Sequence, residues 1–438
     1  MNVILLSGGS GKRLWPLSND VRSKQFIPFF KTAAGGYESM VQRIYRQIRK
    51  VDAEATITVA SSRAQVSSIR SQLGEEVAIS VEPCRRDTFP AIVLATAYLT
   101  DVRGIDPEET VVVCPADPYV EEGYFEALRA LDEQAKKGDA NLMLMGIEPT
   151  YPSEKYGYII PTDRGEVSPV STFREKPSRD VAEEYICQGA LWNGGVFAYR
   201  LQYVLDKARE MIGYSDYQTL FDRYAELEKI SFDYAVVEKE TSLRVMRFCG
   251  AWKDLGTWNT LTEAMEEYRV GDAIMDTSCE NVHIINELGI PVLVMGLKDA
   301  VVSASPDGIL VSDKEQSSYI KPYVDRIDQQ IMFAEKSWGS FRVLNVGKAS
   351  MTVQIILRAG HRMDYHSHKH RDEVWVAVSG EGRTLVDGME QRIRAGDVIT
   401  MQAGCRHTVM AETELHLIEI QLGGEISVHD KQKFPFPL

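Results

Sequence analysis

Along roughly the first 265 residues, short apolar runs alternate with segments whose apolar positions recur at helical spacing. That alternation predicts an α/β domain built on a mostly parallel, Rossmann-like mixed sheet. Strands are expected at Asn2–Leu6, Thr56–Ala60, Ala78–Val81, Val111–Cys114 and Leu142–Gly146, and helices at Ala91–Thr100 and Gly123–Lys136. From Asp272 to about Lys321 the runs shorten. Val282–Ile285, Val292–Met295, Ala300–Ser303 and Ile309–Val311 are separated by Gly, Pro, Asp and Asn, as in a short β-helix-like module. Tyr319–Gln330 reads as a helical linker. After Ser340, β-patterns bounded by Gly360, Gly380, Gly388 and Gly396 predict an all-β barrel or jelly roll. The expected domains are 1–270, 271–330 and 331–438.

Charge and cysteine usage narrow the function. A formal net charge of −14 argues against a broad nucleic-acid surface, so a phosphorylated ligand needs a local cluster of cations and backbone N–H groups. No apolar run approaches the ~20 residues of a membrane span, and Met1–Leu6 is too short for a signal-peptide core. Six scattered cysteines without a C-x-x-C pair read as free thiols in a reducing compartment, so a cytoplasmic location is expected. Seven of the eight histidines lie at or after His361, which marks the C-terminal quarter as a unit with its own chemistry.

The first strand runs into Leu6-Ser7-Gly8-Gly9-Ser10-Gly11-Lys12-Arg13-Leu14-Trp15-Pro16-Leu17. Adjacent glycines let the backbone approach a ligand, and successive N–H groups suit phosphate oxygens. The stretch is not a Walker A loop, since Leu6 stands at the first Gly position and Arg13 at the Ser/Thr position. Nor is it a dinucleotide fingerprint, because Leu14 occupies the third Gly position. Arg13 and Lys24 add cations beside it.

This loop, with Lys24-Gln25-Phe26, resembles the signature of the mannose-1-phosphate guanylyltransferases. The likeness continues in order through Glu82-Pro83 with Thr88, Pro115-Ala116-Asp117, Tyr156-Gly157-Tyr158, Phe173-Arg174-Glu175-Lys176-Pro177, Trp192-Asn193, Asp233-Tyr234-Ala235-Val236 and Trp252-Lys253-Asp254-Leu255-Gly256. It covers nearly the whole chain and resembles the fused form that carries a mannose-6-phosphate isomerase domain. The resemblance implies an α/β nucleotidyltransferase domain that makes GDP-mannose and pyrophosphate from GTP and mannose 1-phosphate for polysaccharide biosynthesis. It implies nucleotide contacts from Leu6, Gly8, Gly9, Ser10, Gly11, Lys12, Arg13, Lys24, Glu82 and Thr88. Sugar contacts would come from Gly157, Glu175, Lys176 and Asn193, and Mg²⁺ would be held by Asp117 and Asp254. Arg13, Lys24, Asp117 and Asp254 form the implied catalytic set. A phosphate nucleophile is already an anion, so this reaction asks for positioning and charge neutralisation rather than a base. Three positions depart from the family: Pro118 for His, Asp87 for Asn and Gly194 for Ser.

In the C-terminal domain, Gly360 is followed after five residues by His366-Ser367-His368, after four more by Glu373, and after six more by Gly380. This matches the first cupin motif, and His407 falls in the second. Residues two apart on a strand share a face, so His366 and His368 join Glu373 and His407 as candidate ligands. Three imidazoles and a carboxylate suit Zn²⁺, Mn²⁺, Fe²⁺, Co²⁺ or Ni²⁺. The bifunctional relatives have Gln at position 366, Arg at position 408 and Arg residues in the tail. Here those are His366, Thr408 and the tail Val428-His429-Asp430-Lys431-Gln432-Lys433-Phe434-Pro435-Phe436-Pro437-Leu438, so little isomerase activity is expected.

Other classes stay open: another base or hexose, a bifunctional enzyme, a metallo-cupin enzyme with a non-catalytic N-terminal domain, or a sugar-nucleotide sensor. The intact Arg13, Lys24, Asp117, Glu175, Lys176 and Asp254 set speaks for catalysis. Expected partners are GTP, mannose 1-phosphate and a second copy in a homodimer, with neither nucleic acid nor membrane.

Overall fold

The structure is a computed structural model describing every residue except 10, 11, 20, 33, 329, 425, 428, 429 and 438. The chain divides into two compact units: Met1–Gly11 with Ser23–Val66 and Glu76–Glu266, and Lys12–Arg22 with Ser67–Glu75 and Glu267–Leu438.

In the first unit, short and largely apolar runs form a nine-stranded sheet. Its strands run in the order Ala78–Glu82, Thr56–Ser62, Asn2–Leu6, Thr110–Pro115, Leu191–Arg200, Leu142–Ile147, Leu243–Phe248, Val167–Arg174 and Tyr158–Pro161. The first four are parallel. Leu191–Arg200 runs against both of its neighbours, Thr110–Pro115 and Leu142–Ile147, so the sheet is mixed. The helix Thr88–Ala97, apolar but for its two threonines, is buried along almost its full length, as a helix without a charged face must be. Its start is fixed by Asp87, whose carboxylate accepts from the Thr88 N–H at 2.8 Å. Among the described residues, no helix is long and apolar enough to cross a membrane.

In the second unit, Arg269–Val270, His283–Asn286 and Ala300–Ser305 pair in parallel, as do Ala273–Met275 and Val292–Val294. These two ladders of coils close on Val282, Ile284, Val294, Ala300 and Val302, which is the β-helix-like module. Gly308–Asp313 pairs antiparallel and ends the stack. The expected helical linker is a correction. Among the described residues of that stretch, only Lys321–Val324 is α-helical, with Gln316–Tyr319 as a 3₁₀ turn before it. Pro322 suits a helix start, but the stretch beyond it buries no apolar face, so the helix does not extend. Beyond it, a six-stranded and a five-stranded sheet form the cupin. Alternating residues of Ser350–Leu357 and Asp372–Ser379 turn inward around Trp375. None of the six cysteines forms a disulfide.

Candidate active site and metal centre

A cleft of about 640 Å³ opens at the C-terminal ends of the parallel strands of the first unit. This is where an open α/β sheet places its ligands, because the strand-to-helix loops diverge there. Asp117 follows the strand Thr110–Pro115. The short ladder between Pro118–Val120 and Trp252–Asp254 pairs Asp254 with Pro118, next in sequence to Asp117. Residues 137 positions apart in the chain are thereby brought to one point. Lys24 Nζ lies 2.9 Å from Asp117 and 3.0 Å from Asp254, and it bridges the two carboxylates. Burial would lower this ammonium's pKa, but the two adjacent anions outweigh burial and hold it above its ordinary value.

Gly157, Glu175 and Asn193 also line the cleft, and Lys176 joins them through its ion pair with Glu175. The Asn193 N–H donates to the Gly157 carbonyl at 2.8 Å. A Cβ on Gly157 would stand 2.5 Å from Glu175 Oε2, so only glycine leaves that oxygen room. Glu175 Oε2 is buried without a hydrogen-bond partner among the described residues, whereas Oε1 pairs with Lys176 Nζ at 2.5 Å. An acceptor so placed asks for a donor from a ligand. Burial would lower the Lys176 ammonium's pKa, and Glu175 raises it above its usual value. Asp233 accepts from the Asn193 amide at 2.6 Å. Burial, then the nearby Glu175 charge, push its carboxyl up to about 6.

Leu6, Gly8, Gly9, Glu82 and Thr88 line the same cleft. Glu82 is held by the Tyr224 hydroxyl, which donates to Oε2 at 2.8 Å. The Thr88 hydroxyl accepts from the Phe232 N–H. Ser10 and Gly11 lie outside the described residues. Lys12 and Arg13 belong to the second unit and do not line the cleft. Lys12 pairs with Asp325 at 3.1 Å, and Arg13 is exposed in the turn Lys12–Leu14.

All three departures from the family fall on the cleft lining. Asp87 has φ +69, a conformation that Asn and Asp tolerate better than most residues, so the exchange keeps the backbone. At Gly194 a Cβ would lie 3.1 Å from Ile147. Sequence reasoning gave no role to Arg85, Lys155, Lys229 or Trp252, which also line the cleft. Trp252 Nε1 is a buried donor without a partner among the described residues. Isolated lysines and arginines carry no periodic or motif signal, so the sequence alone offered no way to find them.

In the cupin, one ligand atom each from His366, His368, Glu373 and His407 lies within 4.8 Å of the others, and all four residues are buried. Each imidazole donates its Nδ1–H to a backbone carbonyl: His366 to Asp364 at 2.7 Å, His368 to Asp430 at 2.7 Å and His407 to Cys405 at 3.0 Å. Every Nε2 therefore keeps its lone pair. His407 Nε2 and Glu373 Oε2 face each other at 3.1 Å, both buried and both without a hydrogen-bond partner. Two acceptors in that position require a cation, and the N₃O donor set fits a divalent transition metal. Burial, followed by the charge of Lys431, takes His366 down to about 2; burial takes His368 to about 4. Neutral imidazoles are the form that binds metal. Arg371 also reaches the centre. It donates to Glu373 Oε1 at 2.9 Å and to His368 Nε2 at 3.0 Å, so a metal would displace it from the histidine nitrogen, whereas Glu373 keeps Oε2 free as a ligand.

A family model described as nucleotidyl transferase matches residues 2–270, more than half of the chain, and the chain belongs to that family. A second model, the C-terminal domain of mannose-6-phosphate isomerase, matches residues 325–435. The xanthan biosynthesis protein XanB of Xanthomonas campestris pv. campestris is 29% identical over 98% of this chain and 97% of its own. A putative mannose-1-phosphate guanylyltransferase of Vibrio cholerae is 29% identical over 98% of each chain. The Escherichia coli K12 mannose-1-phosphate guanylyltransferase is 27% identical over 98% of this chain and 97% of its own. Among solved structures, a Thermus thermophilus protein titled mannose-1-phosphate geranyltransferase superposes with a TM-score of 0.62 at 29% identity, covering 74% of this chain and 98% of that one.

Proposed function

We propose that this chain transfers a guanylyl group from GTP to mannose 1-phosphate, forming GDP-mannose and pyrophosphate. The observation that carries the reading is one cleft lined both by Asp117 and Asp254, whose carboxylates Lys24 bridges, and by Glu175, whose unpaired oxygen lies beside its ion pair with Lys176. Full-length relatives named for this reaction support the choice of substrates.

In the reaction, a phosphate oxygen of the sugar phosphate attacks the α-phosphorus of the triphosphate. The bond from that phosphorus to the bridging oxygen breaks, and pyrophosphate leaves as an anion. No proton is transferred. Glu175 accepts from a sugar hydroxyl, Lys176 pairs with the sugar phosphate, and Gly8 and Gly9 admit the triphosphate to close backbone contact. Lys24, released from the carboxylates, neutralises phosphate charge. Asp117 and Asp254 would hold Mg²⁺, which supplies charge neutralisation across the phosphates when bound. In the cupin, His366, His368, Glu373 and His407 would hold one divalent transition metal. The test is pyrophosphate release across a panel of nucleoside triphosphates and hexose 1-phosphates. GTP with mannose 1-phosphate is expected to give the highest kcat/KM; a better pair sinks the specificity, and no release from any pair sinks the reaction.

A second reading, isomerisation of mannose 6-phosphate by the cupin, is favoured by Lys431. This tail lysine is half-buried, and the nearby Asp364, Glu419 and Glu373 carboxylates only partly offset the lowering of its pKa by burial; it has no ion pair or hydrogen bond among the described residues. It offers a cation where Thr408 has none; the Thr408 hydroxyl is instead spent on the Met363 carbonyl at 2.8 Å. A coupled assay on protein reloaded with each candidate metal decides it: turnover makes the enzyme bifunctional, and no turnover with any metal removes the second activity.

A further inference from the structure

We propose that the segment from Asp430 to Phe434 is a positioning strap for the cupin metal centre, so that docking of the strap and binding of the metal are thermodynamically coupled. The inference rests on the metal-centre reading above. Two of the three imidazoles are oriented locally, each by the carbonyl two residues before it, Asp364 for His366 and Cys405 for His407. His368 differs. Its Nδ1–H goes to the Asp430 carbonyl, 62 residues further along the chain. The Asp430 carboxylate also accepts from the N–H groups of Lys369 and His370, both at 3.0 Å, which fixes the turn directly after His368. The strap then continues as a strand. Lys433 pairs with His366 and Gln432 with Ser367, and the Phe434 N–H donates to the Tyr365 carbonyl at 2.8 Å. Arg406, next to His407, lies 4.0 Å from the centre of the Phe434 ring.

The strap therefore touches all three histidine-bearing segments and supplies none of the metal ligands itself. Without the Asp430 carbonyl, the His368 ring would be free to turn or to adopt the other tautomer, with Nδ1 carrying the lone pair. Partners of this kind, one bond removed from the metal, usually change its affinity 10- to 100-fold when lost. Coupling is reciprocal, so a metal that needs His368 held must in turn hold the strap.

The experiment compares the full chain with Asp430→Ala, Asp430→Asn and a chain stopped after residue 429. Zn²⁺ affinity is read by competition with a chromophoric chelator, and folding of each metal-free form by near-UV circular dichroism. The stopped chain is expected to bind Zn²⁺ about 10-fold or more weakly. Asp430→Ala is expected to fall between it and wild type, and Asp430→Asn, whose side-chain oxygen can still accept, to recover most of the loss. On the unmodified protein, saturating Zn²⁺ should slow amide hydrogen exchange at Phe434 about 10-fold, the reciprocal of the same coupling. That arm decides the matter should the stopped chain fail to fold. Zn²⁺ affinity within two-fold across folded variants, or exchange at Phe434 unchanged by metal, would overturn the strap and leave the metal centre standing. A wild-type protein that binds no transition metal would overturn both.

Discussion

Asp117 and Asp254 share a single ammonium between them, and that arrangement sets what each substitution should do. Both side chains are more than a third exposed, so neither carries packing. Asp117→Asn and Asp254→Asn are each expected to lower turnover roughly 100-fold, the scale of ~3 kcal/mol of transition-state stabilisation, with little change in Tm. Near-normal turnover at limiting Mg²⁺ would take that residue out of the site. At Gly157 the constraint is steric. Gly157→Ala forces a methyl group against Glu175 Oε2, so KM for mannose 1-phosphate should rise about 10-fold or more, the scale of ~1.4 kcal/mol, while KM for GTP holds. Steady-state kinetics with each substrate varied in turn separates the two. Asp233 gives a pH test. Its carboxyl titrates near 6 in the folded protein, above the ~3.9 of an unfolded chain. The folded state therefore binds the extra proton between those values, and stability falls as pH rises from about 4 to 6, then levels off. Asp233→Asn removes that slope and keeps an acceptor for Asn193. The Tm difference between variant and wild type should grow in the variant's favour across this window; a difference independent of pH would contradict the burial of the charge.

At the level of elements, the sequence patterns located the first-unit strands well because short unbroken apolar runs in fully buried strands, bounded by turn residues, leave no competing helical period. Thr110–Pro115 and Leu142–Ile147 lie within a residue or two of their expected bounds, and Gly123–Lys136 coincides with its expected helix. Pairing was harder to read. The three-residue strands that join Asp117 to Asp254 are too short for any periodicity, and only their register brings the carboxylates together. The antiparallel insertion of Leu191–Arg200 is likewise a matter of topology, which local patterns do not encode. In the cupin, spacing exposed the four candidate ligands that the structure clusters, because motif distances follow strand and turn lengths. It did not expose Asp430, whose backbone carbonyl could come from any residue type. Tyr319–Gln330 misled in the opposite way: its composition permits a helix, but Lys321–Val324 buries no side chain that would sustain a longer one.

For the whole molecule, a net charge of −14 has to coexist with two anionic substrates and two kinds of cation. The ligand chemistry keeps the metals apart. Asp117 and Asp254 offer only oxygen, which suits a hard ion that retains its waters. The cupin offers three imidazole nitrogens and one carboxylate, for which Mg²⁺ competes poorly against first-row transition metals. Removing the transition metal by dialysis against a strong chelator, then restoring Mg²⁺ alone, should therefore leave kcat for pyrophosphate release within about two-fold. The same treatment should abolish the Tm increase that added Zn²⁺ gives, since a ligand bound only by the folded state stabilises it by mass action. Conversely, His366→Ala together with His368→Ala should lose Zn²⁺ binding and keep the transferase reaction. A transferase that stays inactive after Mg²⁺ is restored, and recovers only with Zn²⁺ or another transition metal, would mean that the nucleotidyl transfer itself draws on the cupin centre, and the assignment of separate metals to the two sites would fall.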